Sequence, residues 1–77
     1  MFGQELRRLR TQKGLTQEEL AFKAKLHPVT VSRLETGRLK PTLEVFLRLC
    51  IAVEVPAADF AAKLERSFRR QKTTNQK

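Results

Sequence analysis

Residues 26–37 read LHPVTVSRLETG, and whether they form a strand or a helix decides the fold. Val29, Thr30 and Val31 are three β-branched residues in a row after Pro28, a composition that favours a strand. A strand puts Val29 and Val31 on one face but breaks the link from Val31 to Leu34. Wound as a helix, Val31 and Leu34 fall about 60° apart and share an inward side. Val29, Ser32 and Thr36 then lie on the opposite face, with Pro28 and Arg33 at its edges. Pro28 is tolerated in a first helical turn, where its missing N–H has no partner to lose, and Gly37 supplies a stop. The β-branched residues cost only about a few tenths of a kcal/mol each. The stretch therefore reads as a helix with one oddity, an outward-facing valine.

Working outward, the flanking segments are helical as well. Upstream, Phe2, Leu6 and Leu9 recur at helical spacing in a segment from about residue 2 to 13, which Gly14 ends. Thr16 with Glu19 three residues on matches a capping box, so a second helix starts at Gln17 and runs to about Lys25. Downstream, Thr42 is the expected N-cap of a fourth helix. Phe46, Leu47, Leu49, Cys50, Ile51 and Val53 make that helix apolar on more than one side, as expected of a central helix. Pro56 opens a fifth, with Phe60, Leu64 and Phe68 at i, i+4 and i+8. The expected architecture is one all-α domain of five helices over residues 1–71, followed by a disordered polar tail over 72–77.

The chain of 77 residues carries 16 Lys and Arg against eight Asp and Glu, a net charge of +8. In so small a domain that field favours nucleic acid or an acidic surface as partner. A single cysteine, Cys50, excludes an intrachain disulfide and points to a reducing cytoplasm. It reads as a small core hydrophobe. No apolar run approaches the ~18 residues of a membrane span, and the N-terminus lacks an apolar signal core. One histidine and one cysteine lie on different segments. There is no paired carboxylate, glycine-rich phosphate loop or ligand cluster, so neither catalysis, a cofactor nor a metal is expected.

The second helix, the short break at residues 25–27 and the third helix make a helix-turn-helix. From Gly14 to Cys50 the chain resembles the XRE group, the Cro and lambda-repressor-like helix-turn-helix proteins. Gly14, Leu15, Thr16, Gln17, Glu19, Leu20, Ala21, Ser32, Leu34, Glu35, Gly37 and Pro41 carry the match, in register and without gaps. It is specific in the second and third helices and loose in the fifth. Lys25 stands where the family usually has glycine in the turn, His27 and Pro28 replace a serine-type cap, and Glu54 replaces a glycine after the fourth helix. The resemblance implies a sequence-specific double-stranded DNA-binding transcriptional regulator acting in the cytoplasm on the nucleoid, most simply a repressor. The third helix would read the major groove. The alternative on the same fold is an antitoxin or repressor antagonist that works through protein contacts, with a toxin as possible partner.

A recognition helix presents the residues near its N-terminus to base edges. Here those are His27, Pro28, Val29, Ser32 and Arg33. Arg33 suits paired hydrogen bonds to guanine O6 and N7, and Val29 suits the thymine methyl. Thr36 borders the same face as a phosphate contact. The resemblance implies phosphate contacts at Gln17, where the start of the second helix already favours an anion. It implies a second clamp at Arg38, Lys40 and Thr42. From Lys23 to Lys40 there are five cations and one acid, Glu35. Glu35 projects beside Val31 on the buried side, and Arg10 projects near Leu6 on the buried side of the first helix. Each would be costly to bury alone, so a structural ion pair between Arg10 and Glu35 is expected.

Readers of this size bind pseudo-palindromic sites as two-fold dimers. Phe60, Leu64 and Phe68 are the expected homodimer interface. The competing expectation is that they pack within the chain against Phe2 or Phe46. Arg66, Arg69 and Arg70 either solvate the end of the fifth helix or reach DNA.

Overall fold

The computed structural model of the chain describes the backbone of residues 1–75 and the side chains of residues 1–71. The described residues form five helices and no strand: α1 (Phe2–Gln12), α2 (Gln17–Ala24), α3 (Pro28–Glu35), α4 (Leu43–Ala52) and α5 (Ala57–Asn75). The β-branched run is helical, as the periodicity of Val31 and Leu34 requires. α5 continues past residue 71, and the polar tail expected over 72–77 otherwise lies outside the described residues. No described helix is long and apolar enough to cross a membrane.

The helix ends are set locally. Thr16 and Glu19 form the expected capping box: the Thr16 hydroxyl accepts from the Glu19 N–H at 3.0 Å, and the Glu19 carboxylate accepts from the Thr16 N–H at 2.8 Å. Thr42 caps α4 by accepting from the Val45 N–H at 3.1 Å. Gly14 and Gly37 turn at φ +72° and +81°, where a Cβ would crowd the backbone. Lys25 and Glu54, the two positions where the family has glycine, both sit at φ +60°. The chain thus keeps the left-handed turns without the residue that adopts them most readily.

One core joins all five helices. Leu6 and Leu9 from α1, Leu20, Ala21 and Ala24 from α2, Val31 and Leu34 from α3, Leu49 and Cys50 from α4, Val53 and Phe60 are all buried. Burial pushes the Cys50 thiol pKa up, which keeps it a neutral core group. Gly3 lets α1 lie against the end of α3: a Cβ there would stand 2.5 Å from the Leu34 carbonyl oxygen and 2.4 Å from that of Glu35.

Two expectations need correction. Phe60 is 1% exposed. Its ring stacks on Phe2 at 5.5 Å and meets Phe46 edge-on at 5.2 Å. It belongs to the core and has no surface to offer a second chain. α4 is also not covered on every side. Leu43, Leu47 and Ile51 are exposed, Ile51 at 78%. Their i, i+4, i+8 spacing draws an aliphatic stripe along the helix.

Candidate nucleic-acid interface

The pose of α3 is fixed from its buried side. Val31 and Leu34 are essentially inaccessible to solvent, and Glu35 is the one buried charged residue among those described. The expected ion pair is present. Arg10 Nε donates to Glu35 Oε2 at 2.6 Å and Arg10 Nη2 donates to Oε1 at 3.1 Å. Arg10 Nη1 donates to the Leu15 carbonyl at 2.8 Å. The two side chains are 11% and 2% exposed, so this is a forked, largely desolvated pair of the kind that is strong when complete. Gln17 completes it by donating from Nε2 to Glu35 Oε1 at 3.0 Å. The network ties α1, α2 and α3 together, and no described side-chain nitrogen or oxygen is buried without a partner.

The Gln17 bond was not foreseen. It joins residues 18 apart in sequence, and neither the capping pattern nor the family match signals it. It directs the amide toward Glu35 through one N–H. A phosphate at the start of α2 would therefore meet the second amide hydrogen or the main-chain N–H groups of the first turn.

The opposite side of α3 is open. Val29 is 46% exposed, Arg33 is exposed and Ser32 is half-buried. His27 is the N-cap: its Nδ1 accepts from the Val29 N–H at 3.3 Å, and Pro28 takes the first helical position. His27, Pro28, Val29, Ser32 and Arg33 thus share the first two turns of one helix and the cap before it. This is the arrangement a groove reader needs.

The helix exit places the remaining cations. Gly37 turns the chain back, and the main-chain carbonyl of Arg33 accepts from both the Arg38 N–H, at 2.9 Å, and the Leu39 N–H, at 3.2 Å. Arg38 and Lys40 follow directly, and Pro41-Thr42 leads into the positive end of α4. Thr42 accepts at its cap and retains its own hydroxyl hydrogen to donate. Thr36 does not: its hydroxyl donates to the carbonyls of Ser32, at 3.0 Å, and Arg33, at 3.3 Å. It is spent within α3 and stands there as the C-cap. Helical Thr hydroxyls often bond back to the carbonyl four residues earlier, a rule that could have flagged Thr36.

Several cations elsewhere on the surface are paired. Arg8, Lys13, Arg48, Lys63 and Arg69 each lie beside an acid. Arg33, Arg38 and Lys40 pair with none among the described residues. With Glu35 turned inward and neutralised by Arg10, the open side of α3 and the loop after it carry positive charge alone.

Comparison with known proteins agrees with this geometry. The family described as a helix-turn-helix domain matches residues 1–62. Among solved structures, the chain is similar to the restriction-modification controller protein C.AhdI from Aeromonas hydrophila. The two share 41% identity at a TM-score of 0.74, over 77% of this chain and 89% of that one. It is also similar to the clp gene regulator ClgR from Corynebacterium glutamicum, with 32% identity and a TM-score of 0.82 over 95% of this chain and 78% of the other. The controller protein C.Esp1396I matches at 25% identity and a TM-score of 0.81, over 90% of each chain. No curated protein matches at a significant level. The chain belongs to the helix-turn-helix domain family and is a DNA-binding transcriptional regulator of the XRE type.

Proposed function

We propose that the chain represses transcription as a homodimer that occupies a pseudo-palindromic operator, with one α3 in each of two major-groove half-sites. The carrying observation is the set Arg33, Arg38 and Lys40, which lie without acid partners beside exposed Val29 while the nearby Glu35 is buried and neutralised. Arg33 offers a paired contact to guanine, Val29 an apolar contact to the thymine methyl, and Ser32 a hydroxyl to either type of base edge. Gln17, Arg38, Lys40 and Thr42 hold the phosphates on either side and carry no sequence information themselves. Bound over a promoter in the cytoplasm, such a dimer excludes polymerase by occupancy.

The dimer reading rests on two patches. Leu64 is only partly covered by the core and Phe68 is 52% exposed; they line an open apolar groove with Phe2, Leu43 and Phe46. The α4 stripe of Leu43, Leu47 and Ile51 continues it. A single copy reaches few bases and phosphates, and specific duplex interfaces bury about 1,000 Å² or more of protein. Sedimentation at micromolar concentration should give a dimer that Phe68→Asp or Leu47→Asp converts to monomer. A wild-type chain that remains monomeric on and off DNA would remove the two-fold reading.

The test of the function is selection of bound sequences from a random duplex pool. A two-fold motif with half-sites roughly 10 base pairs apart is expected. Arg33→Ala should erase preference at one guanine per half-site, while Lys40→Ala should weaken all duplexes alike and lower the salt slope by about one. Absence of any enriched motif would overturn sequence-specific reading.

A further inference from the structure

We infer that His27 is a hydrogen-bond donor of fixed tautomer, whose Nδ1 caps α3 and whose Nε2–H selects an acceptor on the duplex. The inference rests on the DNA-binding reading and adds the polarity of one contact.

The start of α3 is depleted of main-chain donors. A helix leaves its first N–H groups without partners inside the helix, but Pro28 has none to offer. The Val29 N–H goes to His27 Nδ1 at 3.3 Å. The Thr30 and Val31 N–H groups go to the His27 carbonyl, at 2.9 Å and 3.3 Å. No main-chain N–H of residues 28–31 is left to donate, so the side-chain donor at the cap itself is the His27 ring.

That side chain has one way to donate. A neutral imidazole carries a single proton, on one nitrogen or the other. Nδ1 accepts from Val29 and so cannot hold it, which leaves Nε2–H. The two nitrogens lie on different edges of the ring, and His27 is exposed, so Nε2 remains available outward while Nδ1 is occupied. The acceptors within its chemistry are guanine O6 and N7, adenine N7, thymine O4 and phosphate oxygen. The amino group of cytosine is excluded. Capping strength does not explain the residue, because Ser, Thr, Asp and Asn cap better. A histidine adds what those shorter side chains lack, a donor held beyond the cap.

The chain contains one histidine, so its ring nitrogens are read without ambiguity by 15N NMR. In mildly alkaline buffer the folded chain should show Nδ1 unprotonated and Nε2 protonated, with a tautomer ratio further to that side than in the same chain unfolded in urea. A ratio equal to the unfolded one, or a proton on Nδ1, would overturn the fixed tautomer. On DNA, His27→Ser keeps a cap and removes the donor. With an unchanged urea midpoint it should bind the wild-type chain's selected duplex roughly 3- to 10-fold more weakly. A base partner appears as lost preference at one base pair per half-site, and a phosphate partner as equal weakening on all duplexes. His27→Asn, also a capping residue, serves if the serine variant is unstable. Wild-type affinity and motif in either variant would overturn the contact. If the wild-type chain enriches no motif and binds no duplex, the DNA-binding reading itself fails; if it does both and the variants match it, only the role of His27 fails.

Discussion

Val31, Leu34 and Glu35 on one side of α3 are held by α1 and α2 through packing and by charge-assisted hydrogen bonds, with Arg10 and Gln17 converging on one carboxylate. Val29, Ser32 and Arg33 on the other side are exposed or half-buried, and Arg33 has no acid partner among the described residues. The two sides differ in what they can tolerate. The inner residues determine how the helix is presented, and a change there is felt by three helices. The outer residues determine what is presented, and a change there should leave the fold alone.

The contrast can be broken most sharply at the buried carboxylate. Glu35→Ala leaves Arg10 desolvated and unpaired, and should cost about 3–5 kcal/mol in urea unfolding. Arg10→Ala should cost a similar amount, and the double replacement should cost clearly less than the sum of the two. Strict additivity would mean that the pair is not coupled. Gly3→Ala comes next. The added methyl meets the main-chain oxygens of Leu34 and Glu35 at 2.5 Å and 2.4 Å, which cannot yield as a flexible side chain can. An overpacking loss of about 1–3 kcal/mol is expected, with α3 displaced and DNA affinity reduced even though residue 3 touches no base. A neutral Gly3→Ala would show that the inner side has slack.

Stabilisation is expected at Glu54→Gly. Its φ of +60° is strained for a residue with a Cβ, and relief should add about 1 kcal/mol, checked by thermal melting. Arg33→Ala should move unfolding by no more than about 0.5 kcal/mol while altering the selected DNA motif. A large stability loss there would erase the distinction between the two sides.

The smallest effect is expected at Glu5. The hydrogen bond from Arg8 holds its carboxyl below the usual carboxylate range, with the Arg8 and Lys63 charges acting in the same direction against burial. Because the folded value is lowered, this stabilisation is present above the unfolded carboxylate value and is lost as pH falls through the folded one. Glu5→Gln should therefore be slightly less stable than wild type near neutrality, with the gap closing in acid. A gap that widened in acid would contradict the sign.

The helices and the inner side of α3 were legible in the sequence because their causes are local or periodic. Thr16 with Glu19, Thr42, Gly14 and Gly37 mark ends through contacts a few residues long. Val31 and Leu34 declare a face through spacing alone. The Arg10–Glu35 pair was legible because each charge fell on an apolar face and each needed a partner. Leu47 and Ile51 were misjudged because spacing reveals that a helix is apolar on more than one side but not which neighbour covers which side. Phe60 was left between an interface and a core contact with Phe2 or Phe46 for the same reason: only the packed fold decides, and it brings both rings to it. Gln17 joins Glu35 across a chain separation that no local rule spans.

The carbonyl of Arg33 accepts both N–H groups of the returning loop, and it does so as a main-chain atom. Exchange of the side chain at position 33 leaves that anchor in place, and with it the positions of Arg38 and Lys40. On the proposed reading, a lineage built this way would drift toward a new operator one residue at a time while inheriting its hold on the sugar–phosphate rail intact.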